Sequence, residues 1–106
     1  MMPTLPIACD LAALSPEGRR REQVLLAEFR GRFGAARETA TGFEVEVGDD
    51  SAVLGRLLEF IGLERLCCPF LDFDLTFAAA RGPVTLHVHG GDGVKVFVRS
   101  VFLDRA

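Results

Sequence analysis

At 106 residues, with 49% apolar and 25% charged side chains, the chain has the size and composition of one folded domain with a single core. Lys and Arg number 12 against 15 Asp and Glu, so the net charge of −3 argues against a nucleic-acid surface, which needs a basic excess. No apolar run reaches the length of a membrane span, and Met1-Met2-Pro3-Thr4-Leu5-Pro6 has no charged-then-apolar export pattern. The expectation is a cytoplasmic protein whose three cysteines are free thiols or metal ligands, not a disulfide framework.

Leu5, Ile7, Cys9 and Leu11 alternate with polar neighbours and predict a short first strand with Cys9 facing inward, an edge strand or an irregular one because of Pro6. Ser15-Pro16-Glu17 is a helix start, since a serine caps a free amide and proline at the first helical position loses no needed hydrogen bond. Arg19-Arg20-Arg21 reads as a solvated helix face. Leu25, Leu26, Phe29 and Phe33 form one apolar stripe, and Gly34 is the expected stop.

From Gly42 to Gly48, Phe43, Val45 and Val47 alternate with Glu44 and Glu46, which predicts a half-buried strand. Asp49, Asp50 and Ser51 offer caps for a second helix, whose apolar positions Val53, Leu54, Leu57, Leu58, Phe60 and Ile61 lead to Cys67 and Cys68 before Pro69 ends it. Two alternating runs follow, 71–77 and 84–88, with Arg81-Gly82-Pro83 between them, and predict an antiparallel hairpin. After Gly90-Gly91-Asp92-Gly93, read as a plain turn, Val94, Phe97, Val98, Val101 and Phe102 favour a last helix over a strand. The expected fold is a single α+β domain over 1–106. It is a two-layer sandwich of about four mostly antiparallel strands with about three helices on one face.

The chemistry concentrates in Glu64-Arg65-Leu66-Cys67-Cys68-Pro69-Phe70. On a helical wheel Glu64 falls within the apolar arc, between Phe60 and Cys68, where a glutamate is unusual. Three readings compete. In the first, the cysteines are small core residues and Glu64 is held by an arginine, the first helix being one source of it. Alternatively, Cys9, Cys67, Cys68 and Glu64 form a site for a soft metal ion such as zinc, copper(I) or mercury(II). Or Cys67 is a reactive thiol with Glu64 as its base, disfavoured by a helix carboxyl end that repels negative charge.

The hairpin would also gather Asp72, Asp74, His87 and His89 on the polar sheet face. Carboxylates beside imidazoles there can bind zinc or relay protons, and a solvated or dimer-facing surface is the plainer alternative.

Glu64 through Phe73 resembles the Glu-Arg-x-Cys-Cys-Pro-Phe-Leu-x-Phe signature of a group of small uncharacterised bacterial proteins, and the likeness extends to Cys9 and the 90–93 loop. Similar segments are attached to regulators of the mercury-resistance type, which implies sensing or binding of thiophilic metals. The leading expectation is therefore soft-metal binding or sensing through Cys9, Cys67 and Cys68 with Glu64. The alternative is a structural or interaction domain, a homodimer whose cysteines are core residues.

Overall fold

Period-two patterning produces strands at three of the places where it predicts them. The computed structural model describes residues 7–33 and 35–103. Its strands are β1 (Arg37–Glu38), β2 (Gly42–Val47), β3 (Asp72–Phe77) and β4 (Val84–His89); its helices are α1 (Pro16–Arg32), α2 (Ser51–Cys67) and α3 (Val94–Val98). The sheet order is β1-β2-β4-β3 with every pairing antiparallel.

The register places like with like. Phe43 lies opposite Val88, Val45 opposite Leu86 and Val47 opposite Val84, while Glu44 faces His87 on the other side of the sheet. On the far flank Asp72 pairs with His89 and Asp74 with His87. Slipping either pairing by one residue would turn the valines out to solvent, so the buried face fixes the register. The helices cover that apolar face, giving the two-layer α+β sandwich.

The helix starts follow from their caps. Ser15 Oγ accepts the Gly18 amide at 3.0 Å, and Asp50 accepts the amides of Ala52 and Val53 at 2.9 and 3.1 Å. Helices α1 and α2 run antiparallel, because Arg21 pairs with Glu59 and Glu28 with Arg56, each at 2.8 Å. Beneath these exposed pairs, Phe29, Phe60 and Phe102 make a connected aromatic column through the core. Leu25, Leu57 and Leu86 are fully buried around it. Gly93 opens α3 with φ of +88°, a left-handed conformation that suits glycine. The helix then widens into a π-helical turn over Arg99–Leu103 that keeps Phe102 inside.

The predicted first strand does not form. Its residues before 7 lie outside the described ones. From Ile7 the chain bends into a 3-10 turn, Leu11–Ala13, capped by Asp10, with Ile7 and Leu11 exposed. Four alternating apolar residues are outweighed because the backbone bonds elsewhere: the Asp10 amide donates to the Cys67 carbonyl at 2.7 Å. The fourth strand is instead β1, whose two residues are too few to show a period. Gly34, the expected stop of α1, lies outside the described residues; the Phe33 amide closes the helix on Phe29 O at 2.9 Å. Among the described residues no helix is long and apolar enough to cross a membrane.

Candidate functional site

Glu64, Cys67 and Cys68 are spaced i, i+3 and i+4, so the last turn of α2 presents them on one face. That face looks into the protein: Glu64 is 2% exposed, Cys67 1% and Cys68 0%. Cys68 is the C-cap residue, its amide bonded to Glu64 O at 2.6 Å, and Pro69 prevents another turn. The hydrogen bond from Asp10 to Cys67 O holds the N-terminal segment against this helix end and delivers Cys9.

The three sulfurs consequently converge, their Sγ atoms all within 4.8 Å of one another. Cys67 Sγ is 3.7 Å from Cys68 Sγ. Glu64 Oε2 lies 3.4 Å from Cys68 Sγ and 3.9 Å from Cys67 Sγ. Cys9 reaches the cluster from an exposed bend rather than from the inner face of a strand. The expectation of unpaired cysteines also needs correction. Cys9 and Cys68 sit at disulfide distance, with Cα atoms 4.7 Å apart, which leaves Cys67 as the one free thiol. A sequence separation of 59 residues hid this pairing, since only the fold brings the two together.

What α1 brings to Glu64 is a second carboxyl group, not an arginine. Glu22 is 6% exposed and hydrogen-bonded to Glu64. Burial, reinforced by Glu22, raises the Glu64 pKa from 4.5 to about 8, so its carboxyl keeps a proton at neutral pH and donates it to Glu22. Burial likewise pushes the Cys67 thiol up to about 12, aided by the charges of Glu64 and Glu22. That direction opposes the reactive-thiol reading, because an activated nucleophile needs a depressed pKa. Glu22 was not singled out in the sequence. Its signal is nevertheless there: it stands three and seven residues before Leu25 and Phe29, on the buried stripe of α1.

Asp74, His87 and His89 also converge, on the sheet face away from the helices, with one donor atom from each within 4.8 Å of the others. Asp72 Oδ2 lies 3.9 Å from His89 Nδ1. Arg21, from the basic run, is spent on Glu59. No protein-family model matches the chain, and neither does any curated protein or solved structure.

Proposed function

We propose that the cluster of Cys9, Cys67, Cys68 and Glu64 binds a thiophilic metal ion, as a sequestering or sensing site that is open when reduced and closed when Cys9 and Cys68 are joined. The observation that carries this reading is the convergence of three sulfurs beside a buried carboxyl group. The donor set fits such an ion. Three thiolates suit mercury(II), copper(I) or zinc, and the ionisable groups acting on Cys67, Glu64 and Glu22, are both acidic, so an entering cation brings positive charge to a site that supplies none of its own.

The chemistry balances simply. A dithiol reductant takes the Cys9–Cys68 bond to two thiols and is itself oxidised to a disulfide. Each thiol that then ligates the ion gives up its proton, so uptake releases protons to solvent. Glu64, which holds a proton of its own at neutral pH, would become an oxygen ligand by releasing that proton too.

The interaction-domain reading has the burial of Cys67 and Cys68 in its favour, but it gives no account of two carboxyl groups buried beside them. The test is native mass spectrometry of the fully reduced and the oxidised chain with one equivalent of mercury(II) or copper(I), the softer ions that favour sulfur over the donors elsewhere on the chain. One ion held by the reduced chain, lost on oxidation and on Cys67→Ser, supports the site. A reduced chain that holds none, or holds it equally well without Cys67, overturns it.

A further inference from the structure

The polar face of the sheet presents a second constellation, chemically unlike the sulfur cluster. Strand alternation sends His87 and His89 to the same side of β4, while Val84, Leu86 and Val88 go into the core. Their rings stack with centroids 4.2 Å apart and planes 17° from parallel. Antiparallel pairing sets Asp74 opposite His87 and Asp72 opposite His89. Asp74 Oδ2 lies between the two rings, 2.7 Å from His89 Nε2 and 3.6 Å from His87 Nδ1.

The ring nitrogens that point away from Asp74 have partners of their own. His87 Nε2 is 2.9 Å from Thr39 Oγ1, and Thr39 is itself fixed by accepting the Gly42 amide at 3.0 Å. His89 Nδ1 faces Asp72 Oδ2 at 3.9 Å. In the metal-free chain His89 Nε2–H donates to Asp74 Oδ2; once a cation displaces that proton, with Nε2–H of His87 on Thr39 and Nδ1–H of His89 toward Asp72, a lone pair of each ring faces the ion beside Asp74. Outer partners of this kind orient imidazoles that ligate metals. Glu44, across from His87 on β2, is held by Arg37 and stays out of the cluster.

We propose that His87 Nδ1, His89 Nε2 and Asp74 Oδ2 form a binding site for a single borderline divalent cation, zinc(II) above all, with Thr39 and Asp72 as positioning residues. Two imidazoles and a carboxylate match the donor preference of zinc and leave a coordination position open to water or an external ligand. With metal–ligand bonds of roughly 2.0 to 2.1 Å, donors around a tetrahedral ion stand roughly 3.3 Å apart. The His87–Asp74 separation is already near that value, and the tighter His89–Asp74 contact opens by a small rotation of Asp74, whose side chain is 62% exposed. The site does not depend on the thiol reading, because it shares no residue with it.

The test uses the oxidised full-length chain, titrated with zinc by calorimetry and with cobalt(II) by absorption. One zinc per chain is expected, with the ring proton resonances of both histidines shifting together. The cobalt complex should show ligand-field bands without sulfur-to-metal charge transfer. His87→Ala and His89→Ala should each abolish binding, and Thr39→Val should weaken it by roughly ten- to a hundred-fold. Histidine resonances that do not respond to zinc in the unmutated protein overturn the proposal, whatever the variants do. A cobalt spectrum with sulfur charge transfer would move the ion to Cys67 and overturn it as well.

Discussion

Replacing Glu64 by Gln tests whether a protonated carboxyl group really sits in this core. In the unfolded chain the group titrates near 4.5, and in the folded chain it holds its proton up to about 8. Between those values the unfolded state binds fewer protons, so folding stability falls as pH rises. The contribution is complete below 4.5 and lost above about 8. At about 1.4 kcal/mol per pKa unit the ceiling is about 5 kcal/mol, of which the interval from about pH 5.5 to about pH 8 carries about 3 kcal/mol. Glutamine keeps the shape, can still donate to Glu22 and cannot ionise. Urea unfolding of both proteins at about pH 5.5 and about pH 8.5 measures the difference. The parent should lose stability across that interval and Glu64→Gln should lose much less, becoming the more stable protein at the upper pH. Glu28, Glu44 and Glu59 have pKa values lowered by their arginine partners, so their contributions are lost only at lower pH. Parallel pH profiles for the two proteins, or a parent that gains stability with pH, would refute the argument.

Intact-mass counting after alkylation should find no adduct on the oxidised, folded chain, one after denaturation, and three after reduction and denaturation, since Cys67 is both the free thiol and buried. Leu57→Ala should cost about 3 kcal/mol in urea unfolding, because a fully buried leucine leaves a cavity between α2 and its neighbours. Arg81→Gly should instead raise stability by about 1 kcal/mol, relieving a non-glycine residue held at φ +57° in the β3–β4 turn. Gly42→Ala should prevent normal folding, read as loss of a cooperative thermal transition, because a Cβ there overlaps the Val88 carbonyl oxygen across the β2–β4 pairing.

Where one face of an element is buried, its pattern was legible. Phe43, Val45 and Val47 announced β2, and Ser15 and Asp50 marked both long helices to within a residue. The segment around Cys9 misled because its alternation has no partner strand to act on, and it is held by one backbone bond to α2 and by its cysteine. β1 was invisible because two residues carry no period. Within the site, Glu64 stood out as a charge on an apolar arc. Its partner Glu22 obeys the same rule on α1 but is masked there by five arginines and two further glutamates. The Cys9–Cys68 approach depends on tertiary placement, which local pattern does not encode. The histidine face was legible from alternation alone, whereas the contact of Thr39 with His87 depends on the short turn between β1 and β2.

Joining Cys9 to Cys68 divides the chain into a ring and a tail. The ring holds α1, β1, β2 and α2; the tail holds β3, β4 and α3. The pairing of β2 with β4 is therefore the strand seam that joins the tail to the ring. Closing a loop of 59 residues removes unfolded-state entropy worth about 4 kcal/mol on the chain-entropy model. A reductant that opens this bond thus frees the unfolded chain, and a change at two sulfur atoms is felt by the whole molecule as a lower resistance to unfolding.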